Sequence, residues 1–289
     1  MSNRTVVEQL QGRATSDGDG VKLLRVFGGP RPERFDPFLM LDEFGSEEAS
    51  DYIGGFPPHP HRGFETVTYM LQGKMEHRDH MKNVGLLADG DVQWMTAAKG
   101  IIHSEMPRQT EGKMRGFQLW VNLPSKAKMG PAHYDDIAAD RIPVYELNGA
   151  TVKAIAGATE VTDNAAKTHA IKGVTQVVDT EVLYLDVHLT EGASVNISLA
   201  DSHNTLVYTY DGTAAIGPQN TPAPAQTVSR LSEAGSLQLS NSAAEVTRVL
   251  VIAGKPLREP IVQYGPFVMN TQEEINQAIA DYQAGVLTD

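Results

Sequence analysis

ETVTYMLQGKMEHRD, residues 65–79, reads as an alternating strand, a glycine turn and a second strand, and the same design returns as NTLVYTYDGTAAIG at 204–217. A second echo links LLADGDVQWM at 86–95 with RLSEAGSLQLS at 230–240. An internal duplication fixes an architecture before any other reading does. Further short strand-like stretches are VKLLRVFG at 21–28, MRGFQLWVNL at 114–123, TEVLYLDVHL at 180–189 and TRVLVIAG at 247–254. Many short strands with turn residues between them make an all-β sandwich or barrel. The expectation is two β-barrels in tandem, residues 1–135 and 136–289, joined through SKAKMGPAHYDDIAADRIP at 125–143. One helix is expected, at the C-terminus. Thr271 and Glu274 have capping-box spacing, Ile275, Ala278, Ile279 and Tyr282 share a face, and Gly285 supplies the stop.

Composition removes several function classes. Of 289 residues, 24 are Lys or Arg against 36 Asp or Glu, a formal net charge of −12, and no basic run exceeds two residues. Phosphate backbones and anionic membrane surfaces attract clustered cations, so neither nucleic acid nor a membrane surface is an expected partner. The chain has no cysteine, which excludes disulfides, thiolate catalysis and iron–sulfur clusters. The N-terminus shows no apolar secretory segment, and the apolar run VLVIAG at 249–254 is far too short to span a bilayer. A cytoplasmic location is expected, or a nuclear one in a eukaryote.

Two short stretches carry the chemistry. HPHRGFET at 59–66 and IIHSEMP at 101–107 each place two candidate metal ligands one residue apart: His59 with His61, and His103 with Glu105. In a strand, residues i and i+2 point to the same side. Pro60 forces an extended backbone and suits an edge strand. Two facing pairs inside a barrel would offer three imidazoles and one carboxylate, a set suited to a borderline divalent ion with one or two positions left open. Fe(II) is favoured, with Mn, Ni, Cu or Zn able to replace it. A single such pair is weak evidence, because most are ordinary surface or core residues.

Longer motifs around these pairs resemble the pirin family of the cupin superfamily. The segments that carry the resemblance are FDPFLMLDEFG at 35–45, HPHRGFETVTYMLQG at 59–73, DGDVQWMTAAKGIIHSEMP at 89–107 and GFQLWVNLP at 116–124. The match is dense over residues 20–135 and thinner beyond. It implies two cupin (jelly-roll) barrels, with one iron in the N-terminal barrel held by His59, His61, His103 and Glu105. Ala98 stands where the family usually has Gly in the turn before His-x-Glu, a departure that bears on loop geometry. Counting from the two turns, with Gly73 opposite Gly212, sets Ser198 and Ala200 against His59 and His61, and Asn204 against Glu65. It brings Arg248 and Leu250 near His103 and Glu105. The C-terminal barrel is therefore expected to hold no metal.

Other residues are weighed more lightly. His77 and His80 could form a second site, but a hairpin turn favours a solvated or supporting role. Arg62 and Glu65 could orient ligands. Phe56, Trp94 and Met95 could line a pocket for a planar substrate or simply fill the barrel. The resemblance further implies a quercetin 2,3-dioxygenase, which opens the central ring of a flavonol with O₂ and releases carbon monoxide. Glu105 is the candidate base for the flavonol 3-hydroxyl proton. The alternative is an iron-binding, redox-sensitive regulator acting through a protein partner, in line with the family's eukaryotic members. A monomer is expected in either case.

Overall fold

The structure, a computed structural model, describes residues 3–29 and 32–289. Two compact units emerge, and each takes chain from both ends. Residues 13–139 with 257–289 form the first, and residues up to Gly12 with 140–256 form the second.

The first unit packs two main antiparallel sheets and carries a two-stranded one, Val262–Tyr264 with Phe267–Met269. The larger runs in the order His133–Ile137, Val92–Thr96, Phe64–Gln72, Met114–Asn122, Phe38–Ser46, Val21–Phe27 and Arg13–Asp17. The smaller runs Phe56–His61, Ile101–Pro107, Met75–Asp79 and Val84–Leu87. Phe44, Tyr52, Met70, Met75, Leu87 and Met114 form one part of its core.

In the second unit a seven-stranded sheet runs Val6–Gln11, Thr227–Leu231, Asn204–Asp211, Thr247–Gly254, Leu183–Leu189, Ala150–Ala156 and Val144–Leu147. Its partner runs Thr168–Lys172, Ala158–Thr162, Ser194–Ile197, Leu237–Ser240, Thr213–Ile216 and Thr221–Pro224. An aliphatic core that includes Val152, Leu185, Val187, Val207 and Val251 lies within it.

The duplication is visible in backbone detail. Gly73 and Gly212 both adopt positive φ, +102° and +77°. A Cβ at Gly73 would lie 3.2 Å from Met114 Cα, and one at Gly212 would lie 3.1 Å from Thr247 Cα. Met114 and Thr247 each open the strand that pairs with the one leading into the turn. Only glycine accepts that backbone and that approach without strain.

The ladders also correct the residue matching obtained by counting. His59 pairs with His103 and His61 with Ile101. The equivalent ladder of the second unit pairs Val195 with Leu239 and Ile197 with Leu237. The buried residues on these equivalent strands are Val195, Ile197, Leu237 and Leu239, not Ser198, Ala200 or Arg248. Counting fails because loops of unequal length separate equivalent strands. The expectation of no ligand set in that barrel stands on these buried aliphatic residues.

The division at residue 135 needs correction at three places. His133–Ile137 completes the larger sheet of the first unit by pairing with Val92–Thr96, which carries that unit to Ala139. Val6–Gln11 adds an edge strand to the second unit by pairing with Thr227–Leu231. Arg4 anchors this segment: it is fully buried and donates to the carbonyls of His203 at 2.8 Å and Ala200 at 2.7 Å. The C-terminal helix, Gln272–Gln283, belongs to the first unit, where Ile275 and Ala278 pack with Phe267, Met269 and Leu287. Local patterning cannot show which sheet edge or apolar surface a terminal segment will cover.

Thr271 and Glu274 form the expected capping box, and Gly285 ends the helix with φ +74°. Arg62 donates to Asp281 on the helix at 2.7 Å and to the Leu287 carbonyl at 3.1 Å. The Lys128 ammonium, buried and pulled down to about 8 by desolvation, donates to Asn122 and to the carbonyls of Gly63 and Val268. Tyr282 is 41% exposed, so it borders the buried face and does not fill it. Ile275→Ala should accordingly cost about 2–4 kcal/mol by leaving a cavity. Tyr282→Ala should cost under about 1 kcal/mol. Urea unfolding of the two variants checks the contrast, and equal losses would contradict this packing.

Candidate metal centre

Strand pairing builds the site. Phe56–His61 lies at the edge of its sheet, where Pro60 leaves no ladder bond unmade, and it runs antiparallel to Ile101–Pro107. His59 therefore sits directly opposite His103, and the rings of His59, His61 and His103 are 4.3–4.9 Å apart. A bulge between His103 and Glu105 shifts the register at the carboxylate. In the turn before this strand Ala98 takes φ +42°, and its carbonyl accepts the Gly63 amide at 2.8 Å.

His59 and Glu105 are held by partners of their own, whereas His61 and His103 each keep a bare ring nitrogen. His59 Nδ1 lies 2.8 Å from the Pro57 carbonyl, which can only accept, so Nδ1 carries the proton and Nε2 presents a lone pair. That Nε2 lies 3.1 Å from His61 Nε2. Two donors about 2.1 Å from one ion and at right angles lie about 3.0 Å apart, so this spacing fits two adjacent ligands. His103 Nε2 is buried with no hydrogen-bond partner. Glu105, 1% exposed, accepts the Gln118 amide on both oxygens at 3.2 and 3.0 Å and the Thr68 hydroxyl at 3.2 Å. Trp120 Nε1 donates to the Gln118 carbonyl oxygen at 3.3 Å and so fixes which way the amide faces.

Burial, followed by the neighbouring imidazoles, pushes His61 and His103 well below the ordinary imidazole range. Burial also lowers His77. Neutral rings are the form that binds a metal. Donor atoms of His59, His61 and His103 lie within 4.8 Å of one another, as do those of His77, His103 and Glu105.

The structure thus brings His59, His61 and His103 together, while Glu105 groups with His103 and His77. It also adds three that sequence reading missed or placed elsewhere. Gln118 and Thr68 grip the carboxylate; Gln118 was legible only as a polar residue alternating with Trp120. His77 is not in a hairpin turn but in the strand Met75–Asp79, opposite Glu105 and fully buried. His80 is exposed and accepts the Ile102 amide. Arg62 serves the C-terminal helix, and Glu65 accepts the Thr96 hydroxyl at 2.7 Å.

A cavity of about 620 Å³ opens onto His59, His61 and Gln118. Phe56, Met40 and Trp120 supply apolar wall, with Arg25 and Asp42 beside them. Trp94 and Met95 do not line it: Met95 packs with Ala97 and Ile101, and Trp120 takes the part expected of them.

Profiles of two families match the chain. The pirin profile covers residues 20–121 and the pirin C-terminal cupin profile covers 184–288. The chain belongs to the pirin family.

The two β-units are its tandem cupin domains. A Pseudomonas aeruginosa pirin relative, provisionally named quercetin 2,3-dioxygenase, is 54% identical over 286 residues and 98% of each chain. Rat pirin is 41% identical over 98% of this chain and 93% of its own. A crystal structure of quercetin 2,3-dioxygenase from Acinetobacter baumannii superposes with a TM-score of 0.88 at 34% identity, covering 99% of each chain. No helix among the described residues is long and apolar enough to cross a membrane.

Gln118→Leu tests the grip on the carboxylate. Only Thr68 would then donate to the buried Glu105, and an unmet buried polar group costs about 1–3 kcal/mol. A lower guanidinium midpoint at unchanged slope is expected for the metal-free protein. An unchanged midpoint would show that the Gln118 contact carries no stability.

Proposed function

We propose that this pirin is a metal-dependent dioxygenase of quercetinase type, acting on a flavonol with O₂. The observation that carries the reading is the cavity of about 620 Å³ that ends on His59, His61 and Gln118 and is walled by Phe56 and Trp120. Its volume lies within the range of small-molecule sites, and aromatic walls suit a planar ligand. The relatives provisionally named quercetin 2,3-dioxygenase, 54% and 42% identical, support the same chemistry.

His59, His61, His103 and Glu105 would hold one divalent ion, Fe(II) by preference, with Mn, Ni, Cu or Zn as substitutes. The bound ion would acidify the flavonol 3-hydroxyl, as metals do for bound water. The chain's own residues do the rest. His59 and His61 face the cavity, with the His59 lone pair fixed toward His61 by the Pro57 carbonyl. Glu105 Oε2 accepts only from Gln118, at 3.0 Å, and so keeps lone-pair capacity for the substrate proton. Phe56 and Trp120 flank the ring system and limit water around it. Arg25, joined to Asp42 at 2.8 and 3.0 Å, offers polar groups to hydroxyls at the far end of the ligand.

Purified protein should contain about one metal per chain, in the first unit only, as judged by elemental analysis with anomalous scattering. The Fe(II)-loaded protein should consume O₂ with a flavonol panel. Glu105→Gln at full metal occupancy should lose about 10²- to 10⁴-fold in rate, the usual cost of removing a general base. Recovery of full activity on adding metal would confine Glu105 to a ligand role. Absence of any turnover by the Fe(II)-loaded wild type would instead support a regulatory role through protein partners.

A further inference from the structure

His77 lies outside the four-residue set, yet no side chain in the first unit is more completely buried. Its Nδ1 is 3.3 Å from His103 Nδ1. One proton lies between the two nitrogens, and its owner decides what His103 presents at Nε2. If His77 donates, His103 carries its own proton at Nε2, which points among the rings of His59 and His61 and finds no acceptor. If His103 donates, its Nε2 is a bare lone pair, and the remaining N–H belongs to His77 Nε2.

Those two arrangements are not equivalent. Each contains one hydrogen bond between the histidines, and each leaves one Nε2–H without a hydrogen-bonded acceptor. They differ in what that N–H faces. His77 Nε2 lies 3.9 Å from the Asp79 carboxylate, beyond hydrogen-bond length but close enough for charge to favour a proton there. Asn83 holds that carboxylate in place through its backbone amide at 3.0 Å and its side-chain amide at 2.7 Å. Tyr134 stacks on the His77 ring at 4.7 Å and an interplanar angle of 30°, which sets the plane in which His77 Nδ1 meets His103. Asp135, which follows it, pairs with Trp94 in the ladder, so the stacking residue is held by the sheet.

We propose that His77 is a positioning residue, the acceptor that holds His103 in its Nδ1–H tautomer and so keeps His103 Nε2 free for the metal. The chain of contacts runs Asn83, Asp79, His77, His103, with His77 turned by Tyr134. The inference rests on the metal reading of the four ligands. Outer partners of ligating imidazoles act in this way in general, fixing tautomer and ring orientation. Here the partner is a second histidine whose own tautomer is set by an aspartate. The second unit offers no equivalent, because its corresponding strand, Thr213–Ile216, carries no histidine and sets Ile216 opposite Leu239.

The test combines tautomer and affinity. In full-length, metal-free protein labelled with ¹⁵N-histidine, long-range ¹H–¹⁵N spectra should report His103 as Nδ1–H. Calorimetric titration with Ni(II) as the probe should give one site. His77→Phe, which keeps the stack on Tyr134 but cannot accept, should weaken Ni(II) binding by about 10- to 100-fold. His77→Gln, whose amide oxygen can accept the Nδ1 proton, should bind within a few-fold of wild type. An Nε2–H tautomer for His103 in the wild type overturns the inference, whether or not the variants fold. So does wild-type affinity in folded His77→Phe. Loss in His77→Gln as large as in His103→Ala would make His77 a ligand and overturn it equally. Failure of the wild type to bind Ni(II) at all would overturn the metal reading itself.

Discussion

The register between Phe56–His61 and Ile101–Pro107 is the constraint on which the rest of the site depends. Opposed residues on neighbouring strands face the same side of the sheet, so pairing His59 with His103 turns both rings to one side and brings His61 beside them. A slip of one residue would send each of these side chains to the opposite face. The bulge after His103 is a local departure from that regularity, and it sets where Glu105 meets Gln118 and Thr68. The carboxylate is held from a different sheet than the one that carries it, since both of its donors lie on strands of the larger sheet.

The same ladder serves opposite purposes in the two units. In the first it buries imidazoles whose nitrogens lack partners within the protein, an arrangement that costs stability unless something else satisfies them. In the second, the equivalent strands bury Val195, Ile197, Leu237 and Leu239, which belong to one aliphatic core. The first copy keeps a polar cluster at the expense of packing; the second keeps only packing. The contrast within one chain is the expected signature of a functional site, where local rules for stability are broken.

Buried cations fasten the terminal segments. Arg4 reaches carbonyls of the second unit, while Arg62 and Lys128 reach carbonyls of the C-terminal region in the first. A guanidinium or ammonium has several donors and no acceptor, so one side chain can satisfy carbonyls from several strands at once. An aliphatic residue at any of these positions would leave those carbonyls unpaired. The termini consequently behave as parts of the two barrels, not as tails.

Sequence by itself determined the repeat, the β class, the helix with its capping box, and the two pairs of candidate ligands. Each of these is a local pattern: alternation, a glycine with positive φ, Thr271 three residues before Glu274, ligands spaced by two. What lay beyond its reach were relations between distant segments. Sequence placed His77 in a turn, because only the ladder shows it opposite Glu105. It set Arg248 near His103, because only the hydrogen-bonded ladder reveals Ser194–Ile197 and Leu237–Ser240 as the equivalent strands. It split the chain at 135, because an edge strand such as Val6–Gln11 looks the same whichever sheet it joins. Gln118 and Thr68 looked like ordinary strand polar residues until the fold set a buried carboxylate between them. Side-chain type and short-range spacing are written in the chain, whereas the partner of each group is chosen by long-range pairing, and that pairing exists only in the folded protein.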